Sequence, residues 1–113
     1  MEALTIKEIM EAVNGRLLGE FDNLDAMVEK VETDSRTISE GALFLPLSGE
    51  RFDGHAYINE ALEAGAAGCL TQRERESYLP GKFYIKVDST RRALRDLAVW
   101  YRRRFHVPVV AVT

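Results

Sequence analysis

The apolar positions of this chain switch between a helical and a strand period. Ile6, Ile9, Met10 and Val13 fall at i, i+3, i+4 and i+7, one face of an amphipathic helix. Thr5 and Glu8 stand ahead of that face as a Thr-x-x-Glu capping box, with Leu4 and Ile9 spaced as its hydrophobic staple. Asn14-Gly15 predicts the stop, because both residues tolerate the left-handed conformation that closes a helix. Arg16-Leu17-Leu18 then reads as a short strand and residues 19–25 as a polar turn. Between residues 26 and 33 apolar and charged side chains alternate, which predicts one half-exposed strand. After the turn residues Ser39-Glu40-Gly41, positions 42–47 are apolar without a break, so a central strand covered on both faces is expected. Pro46 has no N–H to give to a ladder, and the strand should end or reach a sheet edge there.

Asp53 is placed to cap a helix running to about residue 64, with Ile58, Ala61 and Leu62 inward and Gly65 as its stop. Residues 68–71 read as the next short strand. Residues 72–82 are charged and carry a Pro80-Gly81 turn, and residues 83–87 form another strand. Ser89 or Thr90 then caps a long helix to about Phe105. Its expected apolar face is Leu94, Leu97, Ala98, Tyr101 and Phe105, with Arg91, Arg92, Arg95, Arg102 and Arg103 mostly opposite. Pro108 breaks the chain before a last buried-strand pattern, Val109-Val110-Ala111-Val112-Thr113. Strands alternating with helices predict an α/β domain. The early strands follow one another too closely for helical crossovers, so the sheet should be mixed and flanked by helices.

At 113 residues the chain is sized for one domain with its own core. Its hydrophobic content of 46% is that of an ordinary globular protein, and a formal net charge of −3 argues against a general nucleic-acid binder. A single cysteine, Cys69, excludes an internal disulfide and lies among apolar residues as a small core side chain. No run reaches the ~18 apolar residues of a membrane span. The first residues carry no basic-then-apolar signal pattern, so a cytoplasmic protein is expected.

Candidate chemistry gathers in two loops. Residues 33–36 and 48–55 flank one apolar strand, and loops at strand ends are where α/β sheets take ligands. Each residue there also has a structural reading. Asp34-Ser35 suits an Asx or Ser turn, Gly49 a turn, and Phe52 a core position. Asp53 reads as a helix cap rather than a general base, and His55 as a structural histidine. His106 suits the dipole at a helix C-terminus. Two histidines far apart and one cysteine make no zinc site. The arginine-rich helix reads as a solvated face or a contact with a neighbouring domain. A stand-alone interaction or nucleic-acid module using those arginines is the alternative of another class. The chain has no glycine-rich phosphate loop, no Ser-His-Asp set and no carboxylate pair at motif spacing, so no catalytic residue is assigned.

Several segments carry a family resemblance through their order and spacing. They are the opening Leu4-Thr5-Ile6-Lys7-Glu8-Ile9, Thr33-Asp34-Ser35-Arg36, Gly41-x-Leu43-Phe44, Gly49-Glu50-Arg51-Phe52-Asp53-Gly54-His55, Ala61 with Gly65-Ala66, and residues 109–113. Together they resemble the MurE/MurF peptidoglycan ligases over nearly the whole chain. The Arg51-Phe52-Asp53-Gly54-His55 wording is most similar to the MurF branch, with a MurE-like ligase as the alternative. The resemblance implies the fold and role of the first of that family's three domains, which holds the UDP end of UDP-MurNAc-tripeptide. The second domain is an ATPase, and the third helps hold the incoming amine. With ATP and magnesium these enzymes activate the substrate carboxylate as an acyl phosphate, which the amine of D-alanyl-D-alanine attacks.

Residues 1–113 are thus expected to be one substrate-binding domain, ending just before an ATP-binding central domain. The implied partners are a UDP-MurNAc-peptide and that central domain of the same polypeptide, with no nucleic acid and no membrane. ATP and magnesium would serve the full-length enzyme, and this stretch alone would not ligate. By position, the resemblance puts nucleotide contacts at Thr33, Ser35 and the turn Gly49, Glu50, Arg51 and Phe52, with Arg36 and Ser48 beside them. Backbone amides and the Ser35 hydroxyl can satisfy the two carbonyls and one N–H of uracil. The turn can offer N–H groups and a guanidinium to a pyrophosphate, and Phe52 can cover the base or sugar. Two positions depart from the family pattern: Pro46, where alanine is usual, and Ser48, where a basic residue is common.

Overall fold

The structure is a computed structural model that describes residues 2–49 and 53–105. The 50–52 part of the expected nucleotide turn, His106, Pro108 and the strand pattern at 109–113 lie outside the described residues.

The chain opens with β1 (Leu4–Thr5) and α1 (Ile6–Val13). Thr5 caps α1 as its spacing predicts: its Oγ1 accepts from the Glu8 N–H at 3.0 Å, and the Glu8 carboxylate accepts from the Thr5 N–H at 2.9 Å. Asn14 ends the helix in the left-handed conformation, at φ 53°. β2 (Arg16–Leu18) follows. The alternating stretch at 26–33 forms two strands rather than one. β3 (Met27–Val28) pairs antiparallel with β1, and β4 (Val31–Glu32) joins the main sheet. The alternation breaks at Glu29 and Lys30, two consecutive exposed residues, and the chain changes partner there.

β5 (Leu43–Phe44) is an interior strand that stops short of Pro46, although residues 42–46 are all buried. A 3₁₀ turn (Gly54–Tyr57) leads into α2 (Ile58–Glu63), so the expected single helix begins with a tighter turn. β6 (Gly68–Thr71), β7 (Phe83–Lys86) and α3 (Thr90–Phe105) complete the order. The main sheet runs β2-β7-β6-β5-β4; only β2–β7 is antiparallel, so the sheet is mixed as predicted.

Strand alternation divides the interior into two cores. Leu43, Leu45, Leu70, Phe83 and Ile85 belong to the core built with α1 and α3. Phe44, Cys69 and Tyr84, in register across three strands, belong with Ile58, Ala61 and Leu62 of α2 to the second. The buried side of α3 differs from expectation. Thr90, Ala93 and Leu97 are buried and Trp100, Tyr101 and Phe105 half-buried, while Leu94 and Ala98 are exposed. α1 packs on this helix and selects its inner face. Arg104 bridges to Glu8 at 3.0 Å across that contact, and the Glu2 N–H donates to the Tyr101 hydroxyl at 2.7 Å.

Candidate functional site

Because β4, β5, β6 and β7 run parallel, their C-terminal ends lie along one edge of the sheet. The segments that leave this edge include 33–37, 45–49, 72–75 and 87–89. The two predicted loops therefore emerge side by side at the position where α/β sheets bind ligands.

In the first loop Asp34 caps a 3₁₀ turn (Ser35–Thr37), accepting from the Arg36 N–H at 2.9 Å. The same carboxylate takes the Arg36 guanidinium in two bonds, Nε at 3.0 Å and Nη2 at 2.9 Å. Those side-chain bonds, and then the backbone N–H, pull the Asp34 carboxyl down to about 2. Arg36 thus sits at the sheet edge with its charge already paired. The Ser35 hydroxyl is turned toward α2, 3.4 Å from a Glu60 carboxylate oxygen, and Thr33 is exposed.

In the second loop Ser48 and Asp53 form an isolated antiparallel bridge that closes the foot of the turn. Asp53 gathers four donors. Its Oδ1 accepts from the Ser48 hydroxyl (2.9 Å) and the His55 N–H (2.9 Å) and lies 3.0 Å from His55 Nδ1; its Oδ2 accepts from Arg73 Nη2 at 3.0 Å. The His55 N–H, the Ser48 hydroxyl, the imidazole and the Arg73 guanidinium hold this carboxyl well below the usual carboxylate range. His55 is buried, and its Nε2 accepts from the Gln72 N–H at 3.1 Å. A ring nitrogen that accepts from an N–H carries no proton, so the neutral ring donates from Nδ1 to Asp53. The Gln72 side-chain oxygen in turn accepts from Thr90, from its N–H at 2.8 Å and its hydroxyl at 3.1 Å. Arg91 Nη2 donates to the Ser48 carbonyl at 3.0 Å. The chain then folds back so tightly that Gly54 donates to the Leu47 carbonyl at 2.8 Å. A Cβ on Gly54 would meet that oxygen at 2.7 Å, so only glycine fits without moving backbone. Gly49 faces open space. A groove of about 590 Å³ lies beside this foot, lined among others by Asp53, His55, Asn59, Arg73 and Arg75.

The predicted residues Thr33, Ser35, Arg36, Ser48 and Gly49 thus share one edge. Asp53 and His55 act there as the cap and structural histidine that their spacing suggests. Sequence reasoning missed Gln72 and Arg73, read Thr90 only as a possible helix cap, and read Arg91 with an arginine face that is solvated or meets a neighbouring domain. Arg73 and Arg91 reach the foot from 20 and 43 residues away, a distance at which local patterns carry no signal. The β7–α3 junction reads Val87-Asp88-Ser89, without a glycine-rich turn or lysine, and no metal-binding cluster of three His, Cys, Asp or Glu occurs among the described residues. No described helix is long and apolar enough to cross a membrane.

Comparison with known proteins agrees with this architecture. The sequence profile described as "Mur ligase family, catalytic domain" matches residues 27–102. The UDP-N-acetylmuramoyl-tripeptide–D-alanyl-D-alanine ligase of Escherichia coli K12 is 37% identical over 113 residues, all of this chain and 24% of that protein. The Bacillus subtilis enzyme of the same name is 37% identical over 96% of this chain and 24% of its own length. A 2,6-diaminopimelate-adding ligase of Parabacteroides distasonis is 31% identical over 87% of this chain and 20% of its own length. Among solved structures, MurF of Acinetobacter baumannii superposes with a TM-score of 0.77 at 25% identity, over 92% of this chain and 22% of that one. The chain spans about a quarter of the length of the curated relatives first matched. With a profile covering more than half its residues and a fold shared with MurF, this chain belongs to the Mur ligase family.

Proposed function

We propose that this chain is the UDP-substrate-binding domain of a MurF-like ligase, holding the nucleotide end of UDP-MurNAc-tripeptide. The remaining domains of the longer enzyme would use ATP and magnesium to join D-alanyl-D-alanine to the peptide in the cytoplasm. One observation carries the reading: the loops at 33–37 and 45–49 leave adjacent parallel strands at one sheet edge, where the resemblance puts nucleotide contacts. The similarity to ligases named for a UDP-muramoyl tripeptide supports that ligand. The logic of such a domain is positional. Binding energy gained at a remote nucleotide can orient the reacting carboxylate on another domain, which raises the rate of a step this domain does not perform. A MurE-like reading is kept by relatives at 31% and 32% identity that are named for 2,6-diaminopimelate addition.

Backbone amide shift mapping with UDP and then UDP-MurNAc tests the assignment. Shifts are expected at Thr33, Ser35, Arg36, Ser48 and Gly49. Shifts confined to residues 94–105, with none at these loops, would overturn it.

A further inference from the structure

The described cations at this edge differ in what balances them. The Arg36 guanidinium is spent on Asp34 in two bonds. Arg73 is paired with Asp53 at 3.0 Å. Arg91 and Arg75 each donate to a neutral oxygen, Arg91 to the Ser48 carbonyl at the foot of the turn and Arg75 to the Asn59 side chain of α2, and none of the ion pairs among the described residues includes either. A guanidinium has five N–H donors, so among the described residues one carbonyl leaves most of its hydrogen-bonding capacity unused and its charge unbalanced. Arg91 is also exposed and stands in the first turn of a 16-residue helix, whose positive end adds to its field. The Ser48 carbonyl tethers the head of this side chain at the foot of the turn, so it is not simply one more solvated arginine on α3.

We propose that Arg91 contacts the phosphate groups of a nucleoside diphosphate ligand, while Arg73 is a positioning residue that holds the Ser48–Asp53 bridge through Asp53. The inference rests on the proposed nucleotide reading and adds to it the phosphate-recognising side chain. Pairing sets the division of labour. The charge of Arg73 is already balanced by Asp53, and Asp53 organises Ser48 and His55. Arg91 gains a charged partner without losing one.

The experiment is titration of the chain with uridine, UDP and inorganic pyrophosphate, for wild type and for Arg91→Gln, Arg91→Lys and Arg102→Gln. Arg102 is an exposed arginine of the same helix and controls for net charge. Arg91→Gln should cut the preference for UDP over uridine by about tenfold or more, as expected when a charge-assisted bond is lost, with uridine affinity kept. Arg91→Lys should keep part of the preference, and Arg102→Gln all of it. An unchanged preference in Arg91→Gln would overturn the proposal. So would an equal loss for uridine and UDP, which would mean that Arg91 only shapes the turn. If the wild type binds neither uridine nor UDP, the nucleotide reading falls, and pyrophosphate then decides about Arg91 alone. Pyrophosphate shifts at Ser48 and Arg91 that vanish in Arg91→Gln would sustain it as an anion site; no such shifts would end it.

Discussion

Asp53 concentrates more of the site's organisation than any other described side chain. It caps the 3₁₀ turn, fixes the Ser48 hydroxyl, orients the His55 ring and anchors Arg73. Its role as a cap is legible in sequence because the partner N–H is only two residues away. Its contact with Arg73 is not, since 20 residues and a strand intervene. The pH consequence has a definite sign. A carboxyl held below its unfolded value contributes stability that is full above that value and is lost as pH falls toward the folded one. For Asp53, and for Asp34 at about 2, the loss should begin near the ordinary value of 3.8 and continue downward. Asp53→Asn should therefore lower the thermal midpoint at pH 6 and flatten the decline of stability between about pH 4 and 2. A variant whose pH profile parallels wild type throughout would show that the carboxylate contributes nothing to the fold.

At the scale of elements, the ends of α1 were readable because capping is a contact between residues three apart. Thr5→Ala removes the acceptor for the Glu8 N–H and half of the reciprocal box, and should cost about 1 kcal/mol in a denaturant titration. Glu8 also holds Arg104, so Glu8→Ala should cost more than Thr5→Ala by loosening α1 from α3. The inner face of α3 was readable in part: Leu97, Tyr101 and Phe105 face inward as expected, and Leu94 and Ala98 do not. Leu97, Tyr101 and Phe105 fit either of two overlapping stripes, and hydrophobicity alone favours the one with Leu94 and Ala98. The packed helix turns Ala93 and Trp100 inward instead, where a small side chain suits the approach of α1. The stretch at 26–33 was misread for a related reason: alternation reports a half-covered strand without saying which neighbour covers it.

For the molecule as a whole, the sheet separates two cores, and Cys69 lies inside the one covered by α2. Burial pushes its thiol up to about 12, so the reactive thiolate is scarce in the native state. A disulfide reagent at pH 8 should label Cys69 only as fast as the chain unfolds, with the labelling rate rising with denaturant along the global transition. Fast labelling of native protein would show that α2 lifts from the sheet by itself. The same two-sided sheet explains why the apolar run at 42–46 lacks alternation: Leu43 and Leu45 feed one core and Phe44 the other.

Sequence alone determined what depends on neighbours within a few residues: the capping box at Thr5 and Glu8, the Asn14 stop, the turns at Asp34, Asp53 and Pro80-Gly81, and the strand or helix character of the described segments. Backbone geometry sets such contacts before the chain has any tertiary structure. Strand order decided the rest. The arrangement β2-β7-β6-β5-β4 brings the ends of β5 and β6 and the start of α3 together. Only there do Arg73 and Arg91 meet the Ser48–Asp53 bridge and Gln72 link His55 to Thr90. Those meetings arise from burying two apolar faces of one sheet, a global condition that no window of residues contains.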